Sequence, residues 1–265
     1  MAKLGFLGMG NMGQAMLKGV LSQYSPAEIV FTDIDLNKRE TISNSTGAVS
    51  FESNAECVNN AKYIILAIKP QYYDVVLKNI ELVLKPDQVI ISIAPGITIE
   101  TLKIKLGADK KIVRAMPNTP ALVGEGMTGI AFEENKIAFE EREELLKIFS
   151  SFGKVEIVPE NLMSAVVCAS GSSPAYVFMF IEALADSIVS QGMSRELAYK
   201  FVAQSVMGSA KMVLETGEHP AKLKDMVCSP AGTTIKAVAA LEEYGMRAAI
   251  IKASEACYNK AESIK

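Results

Sequence analysis

Lys3-Leu4-Gly5-Phe6-Leu7-Gly8-Met9-Gly10-Asn11-Met12-Gly13-Gln14-Ala15-Met16-Leu17 is the stretch that decides the fold. The apolar run Lys3–Leu7 predicts a strand, which passes directly into Gly8-x-Gly10-x-x-Gly13 and then into a helix. A second apolar run, Glu28–Thr32, ends at Asp33, which follows Gly13 by 20 positions. In that setting glycines permit a tight turn and let a pyrophosphate approach the backbone, its charge set against the free N–H groups of the helix N-terminus. Gly8, Gly10, Asn11, Met12 and Gly13 are therefore candidates to hold a dinucleotide. A glycine-rich surface turn alone would not require strand, helix, second strand and acid to arrive at this spacing. Asp33 is placed to hydrogen-bond the ribose hydroxyls of NAD, while Lys38 and Arg39 follow closely enough to meet a 2′-phosphate. NADPH or NADH is the expected cofactor, with the choice open.

Outward from this unit, further candidate strands fall at Tyr63–Ile68, Gln88–Ile93 and Lys111–Ala115, alternating with amphipathic stretches. Tyr63–Ile68 is apolar on both faces, as a parallel strand covered by helices on each side requires. The expectation is an α/β domain, a doubly wound parallel sheet of Rossmann type over residues 1–160. Gly126–Phe132 and Lys154–Val158, flanking a charged helix near Ile137–Ser151, complete the sheet. From Asn161 the strand pattern stops, and residues 161–265 are expected to be all helical. Ser173-Pro174 is expected to open a helix closed by Gly192, Ser194 one closed by Gly217, and Ser229-Pro230 one closed by Gly245. Small residues and methionines in these helices suit close packing, within the chain or against a second subunit.

Ligands of open parallel sheets bind beyond the carboxyl ends of the strands. The turns there are Lys69-Pro70, Ala94-Pro95-Gly96 and Met116-Pro117-Asn118-Thr119-Pro120. One such turn is punctuation, whereas three at one edge fit a shaped cofactor cleft. At Lys69, a solvated lysine and a cofactor contact weigh equally. Asn118 and Thr119 carry uncharged polar groups suited to positioning a nicotinamide or a substrate. In the helical half, Ser229-Pro230-Ala231-Gly232-Thr233-Thr234 brings hydroxyls to a helix N-terminus, where free N–H groups accept a carboxylate-sized anion. Plain capping by Ser229 would need neither Gly232 nor paired threonines. Gly171-Ser172-Ser173-Pro174 serves equally as a cap or a contact, and His219, the only histidine, is expected in a loop.

A net charge of −3 with no long Lys/Arg run excludes the electrostatic footprint of a nucleic-acid or anionic-membrane binder. With 49% apolar and 22% charged residues, the chain is a folded globule rather than a disordered one. The four cysteines form no C-x-x-C pair, so no metal site is expected and the thiols are read as reduced and cytosolic. No uninterrupted apolar run of roughly 18 residues is seen, so no membrane helix is expected. No histidine–carboxylate pair is evident either. Carbonyl reduction needs a positioned acid, whereas a cyclic imine enters as its protonated iminium, which makes the chain friendlier to C=N than to C=O reduction.

These residues resemble those of the pyrroline-5-carboxylate reductases. The resemblance spans essentially the whole chain: Gly8-x-Gly10-x-Met12-Gly13, Ala67-Ile68-Lys69-Pro70, Asn118-Thr119-Pro120, Ser172-Ser173-Pro174-Ala175-Tyr176, and above all Leu223–Val227 leading into Ser229–Thr234. It implies a Rossmann domain followed by a helical dimerisation domain, with dimers assembling into rings such as a decamer. It also implies that Ser229, Gly232, Thr233 and Thr234 hold the substrate 1-pyrroline-5-carboxylate, with Thr234 the positioning and proton-relay candidate. Asn54 and Ala67, Ile68, Lys69 and Pro70 would contact the cofactor, joined by Asp33, Lys38, Ala94, Gly96 and Asn118, and hydride would pass to the imine carbon to give L-proline in the cytoplasm. Two positions depart from the family pattern. Ser173 stands where glycine is common, and Asp33 stands where a small hydroxyl residue can accept a 2′-phosphate, which argues against a strong NADPH preference. A β-hydroxyacid dehydrogenase shares the two-domain plan but needs a lysine and an asparagine where this chain has Val177 and Ile181. A non-catalytic NAD-sensing module is the alternative of another class.

Overall fold

In the computed structural model, which describes residues 1–264, β1 (Ala2–Leu7) runs into the glycine turn and α1 (Asn11–Val20). There follow β2 (Ile29–Thr32), α2 (Leu36–Thr46), the short β3 (Val49–Ser50), α3 (Asn54–Asn59), β4 (Ala61–Leu66), α4 (Tyr73–Ile80), β5 (Val89–Ser92) and α5 (Ile99–Leu106). β6 (Lys111–Met116), β7 (Gly126–Phe132), α6 (Phe139–Ser150) and β8 (Gly153–Ile157) complete one eight-stranded sheet of order β3-β2-β1-β4-β5-β6-β7-β8. The strand order reverses at the β1/β4 pair, where Leu7 is in register with Leu66, so a crevice opens at their carboxyl ends. All neighbours are parallel except β6 and β7, which pair antiparallel. The doubly wound parallel sheet is as expected, with this one antiparallel pair in it. The Thr119–Val123 turn is too short for a right-handed crossover and simply reverses the chain.

Alternation along the strands divides the core. Leu4, Phe6, Phe31, Ile65, Ile91 and Val113 face one way and pack on Met16, Leu17 and Val20 of α1 and Leu145, Ile148 and Phe149 of α6. Val30, Ile64, Leu66, Ile90 and Ile112 face the other way, onto α3, α4 and α5. Each such side chain contributes about 1.5–3 kcal/mol when fully buried, which is why both faces of the central strands read as continuous apolar runs. Gly19 has a packing role, since a Cβ there would lie 2.5 Å from the Phe152 Cβ. α1 can therefore settle closely against Phe152.

The chain separates into two compact units, one comprising Met1–Ser172 with the segment that begins at Cys257, the other Ser173–Ala256. The second unit contains α8 (Ser173–Ser190), α9 (Arg195–Thr216), α10 (Pro220–Val227), α11 (Thr233–Glu243) and most of α12 (Met246–Glu262), after the one-turn α7 (Met163–Val166) of the first. α8 and α9 pack through Ala185, Ala198 and Val202. α9 follows Ser194 and ends at Gly217, whose φ of 64° makes a left-handed cap. Ser173 is the first residue of α8, as expected, but it caps no free helix end, because a π-helical turn, Val167–Ser172, runs straight into α8. Pro174 lacks an N–H and is accommodated where π spacing gives way to α spacing. Ser229-Pro230, by contrast, opens no helix: α11 begins at Thr233 with Gly232 as its N-cap. His219 caps α10, its Nδ1 accepting the Ala221 N–H at 3.2 Å. The helical run Glu160–Ser190 is long and apolar enough to cross a membrane, contrary to expectation, because between Leu162 and Ile181 its interruptions are Ser, Gly and Pro rather than charges.

Candidate functional site

In the first unit, the residues read as a dinucleotide cradle come together at the β1/β4 crevice. Gly8 has φ +97° and donates its N–H to the Thr32 carbonyl at 2.9 Å, and a Cβ there would lie 2.7 Å from the Ala67 carbonyl oxygen. At Gly13 a Cβ would lie 2.5 Å from the Gly8 carbonyl oxygen. Around Gly10, by contrast, a Cβ would meet nothing within 4 Å. Two glycines thus close the turn, and the third leaves bare backbone facing open space. Gly10 also caps α1 without a side-chain contact, so the Asn11, Met12 and Gly13 N–H groups, which helix geometry leaves without intrahelical acceptors, face the same opening. Met9 is buried beneath, and its carbonyl accepts from Gln14 Nε2 at 2.8 Å. Bare glycine backbone with free N–H groups fits a pyrophosphate.

Asp33 reaches across from the end of β2, its Oδ2 accepting the Met9 N–H at 2.7 Å. Lys38 Nζ lies 3.4 Å from Asp33 Oδ1, and Arg39 Nη1 donates to the Asp33 carbonyl at 2.7 Å. Ala67 continues the crevice, its N–H bonded to the Leu7 carbonyl at 2.9 Å, and Ile68 packs beside Gly8. Lys69 and Pro70 are exposed at the start of a 3₁₀ turn. Asn54 is the first residue of α3, half-buried, behind the Ser53 cap. Tyr73, not anticipated from the sequence, ties the carboxyl ends of β4 and β5 together, its hydroxyl contacting the Leu66 carbonyl at 3.2 Å and Ser92 Oγ at 2.9 Å. Burial pushes its phenol up to about 12, so it remains neutral. Two adjacent tyrosines, Tyr72 and Tyr73, at the start of an amphipathic stretch carry no signal for which of them makes that tie.

Ala94 is buried, and Gly96, with φ +79°, lies under Ile264, where a Cβ would come 2.5 Å from Ile264 Cγ2. Asn118 is buried and both ends of its amide are engaged: Nδ2 donates to the Ser170 carbonyl at 3.0 Å, and Oδ1 accepts the Met127 N–H at 2.8 Å. It anchors the π-helical turn to the β6–β7 connection. Arg114, 2% exposed on β6, pairs at 3.3 Å with Glu160, whose Oε1 also accepts the Ile99 N–H at 2.8 Å. The pair steadies the start of α5 just after the Ala94–Gly96 turn. Cys168 is buried in the π-helical turn, and burial followed by the neighbouring Cys257 pushes its thiol up to about 11. All four cysteines are free thiols. Among the described residues no cluster of metal-ligating side chains occurs.

In the second unit, Ser229 starts a β-turn with Pro230 at its second position and Ala231, at φ +58°, at its third; the Gly232 N–H closes it onto the Ser229 carbonyl at 3.1 Å. A Cβ at residue 232 would lie 2.2 Å from Ser229 Oγ, so only glycine lets that hydroxyl lie over the start of α11. The Ser229, Thr233 and Thr234 hydroxyls make no hydrogen bond among the described residues. Together with the first N–H groups of α11, they form a donor-rich N-terminus able to take a carboxylate.

Two family models match the chain, one described as pyrroline-5-carboxylate reductase dimerisation over residues 160–264, the other as NADP oxidoreductase, coenzyme F420-dependent, over residues 3–96. The pyrroline-5-carboxylate reductase of Escherichia coli (strain K12) is 49% identical over 264 residues, covering 99% of this chain and 98% of its own length. That of Methanosarcina acetivorans is 42% identical over 259 residues, 96% of each. Among solved structures, the pyrroline carboxylate reductase of Plasmodium falciparum with NADP bound is similar with a TM-score of 0.90 at 32% identity, covering 99% of this chain and 98% of the other. The Coxiella burnetii pyrroline-5-carboxylate reductase gives 0.92 at 32% identity, covering 100% and 98%.

Proposed function

The chain belongs to the pyrroline-5-carboxylate reductase family, an NAD(P)H-dependent oxidoreductase of proline biosynthesis, and from that premise we propose how its own residues divide the work of reducing 1-pyrroline-5-carboxylate to L-proline. The observation that carries the activity is the match over 99% of the chain at 49% identity. Residues 1–160 hold the cofactor and 161–265 hold the substrate and the second subunit. Gly8, Gly10 and the Asn11–Gly13 N–H groups take the pyrophosphate, Asp33 and Lys38 the adenosine ribose, and Asn54 with Ala67–Pro70, Ala94 and Gly96 line the rest of the cleft. Asn118 acts there by fixing Ser170 and Met127, the two partners its amide holds. When bound, the nicotinamide supplies hydride to the imine carbon.

The substrate carboxylate is received at the start of α11 by backbone N–H groups and the Ser229, Thr233 and Thr234 hydroxyls, which Gly232 allows to converge. Pinning the carboxylate orients the ring, so that a chain without a strongly acidic donor works on an iminium that already carries its proton. Thr234 positions the ring and relays the proton that the neutral product amine takes up once hydride has reached the imine carbon. The exposed apolar side chains of α8 and α9, Phe178, Phe180, Phe201 and Met207 among them, are covered by a second copy of the chain, and such dimers assemble into a ring such as a decamer. The reaction is cytoplasmic, in keeping with four free thiols.

Loss of nicotinamide absorbance with purified protein and 1-pyrroline-5-carboxylate, beside a panel of small β-keto acids, tests the activity. Oxidation with the imine alone is expected; turnover of a keto acid instead would transfer the chain to hydroxyacid chemistry. Sedimentation tests the assembly, and a monomer that partitions into lipid vesicles would refute it.

A further inference from the structure

We propose that the charge arrangement at the end of β2 makes NADH, rather than NADPH, the preferred reductant of this chain; the inference rests on the glycine turn being the dinucleotide cradle. The Asp33 carboxylate is fixed against that turn. Its side chain is 8% exposed, Oδ2 accepts the Met9 N–H at 2.7 Å, and Oδ1 accepts the Asp35 N–H at 3.0 Å. A carboxylate held this way keeps a lone pair on Oδ2 for a ribose hydroxyl, the partner that an acid at this position takes in Rossmann folds. A 2′-phosphate in the same place would bring up to two negative charges against it.

Cations that would offset the repulsion are already turned onto Asp33. Lys38 Nζ sits 3.4 Å from its Oδ1, and Arg39 Nη1 donates to its carbonyl oxygen at 2.7 Å. The remaining neighbours offer nothing to a phosphate: Ile34 is apolar and 99% exposed, and Asp35 is a second carboxylate, engaged as the cap of α2 through the Lys38 N–H at 3.1 Å. NADPH must therefore share Lys38 and Arg39 with Asp33 and still lie beside its charge, whereas NADH uses the carboxylate as it stands. Both nucleotides bind, and the preference is a matter of degree.

Calorimetric titration of the full-length protein with NADH and with NADPH, in the absence of imine, measures the preference directly. NADH is expected to bind at least tenfold more tightly. Asp33→Asn, which keeps the shape and removes the charge, is expected to shrink the ratio of dissociation constants by tenfold or more. Lys38→Gln should weaken NADPH binding at least threefold more in the Asp33→Asn background, where the lysine is free to reach a phosphate, than in the unaltered chain, where it is shared with Asp33. Equal or tighter binding of NADPH by the unaltered chain, or a ratio unmoved by Asp33→Asn, overturns the preference and leaves the cradle standing. Binding of neither nucleotide removes the cradle itself and the preference with it.

Discussion

The two units differ in how they dispose of apolar side chains. In Met1–Ser172 the sheet buries two large clusters, one on each face, and the strands are covered by helices supplied by the same unit. In Ser173–Ala256, Ala185, Ala198 and Val202 are the buried apolar residues, while Phe178, Phe180, Phe201, Met207 and Leu214 stand in solvent. Sequence composition does not distinguish these situations, since both halves are rich in apolar residues. A parallel sheet closes on its own crossover helices, whereas a helix pair of this kind has one seam and two outer faces. The second unit therefore leaves apolar faces of the kind that the second copy proposed above would cover.

The comparison breaks most sharply at α9. Phe201 is 60% exposed, and Phe201→Glu places a carboxylate where a partner would have to bury it. Loss of association by analytical ultracentrifugation is expected, with activity falling about 100-fold or more, a cost of roughly 3 kcal/mol. A variant that stays oligomeric and active would show the second unit to be complete by itself. In the first unit, Glu160→Ala strips Arg114 of its partner and the Ile99 N–H of its acceptor. Because Glu160 is 33% exposed, the expected loss in urea unfolding is about 2 kcal/mol, below the 3–5 kcal/mol of a fully buried pair.

Smaller effects separate the two candidate sites. Thr234→Val keeps the shape and removes a hydroxyl, so the KM for the imine is expected to rise about tenfold, or ~1.4 kcal/mol, while the dissociation constant of the nucleotide holds. Parallel loss of nucleotide affinity would contradict the division of roles between units. Ala231→Gly is the mildest change. A non-glycine residue at positive φ costs about 1–2 kcal/mol and glycine returns about 0.5–1 kcal/mol of that as chain entropy, so melting is expected to rise by no more than a few degrees. A fall in melting temperature would mean that the turn imposes no strain.

The glycine cradle was legible because its requirements are local: a strand, a turn that excludes Cβ atoms, and free N–H groups at a helix start all lie within Lys3–Leu17. The candidate site at the start of α11 was half legible. Its hydroxyls and glycine could be read, but Ser229-Pro230 carries the same signal for a turn as for a helix start, and the positive φ of Ala231 settles it as a turn. Ser173-Pro174 was read only in part for a related reason, since it begins α8 as expected but a proline after a serine marks a cap in isolation and a π-to-α transition in this helix. Asn118 shows a further limit. Its residue type says that it makes hydrogen bonds, and only the fold shows that Ser170 and Met127 receive and supply them.

By itself the sequence determined the longer strands of the sheet in chain order, the candidate dinucleotide turn, the helical character of the second half and the family, because these depend on neighbours a few residues apart or on whole-chain similarity. Tertiary structure decided the antiparallel pairing of β6 with β7, the tie from Tyr73 to Ser92, the Arg114–Glu160 pair and the engagement of Lys38 and Arg39 with Asp33. Each of these joins groups whose partner is set by how the chain folds back or by which way a side chain turns. Local propensity does not encode that direction; packing and charge, acting together in the folded chain, do.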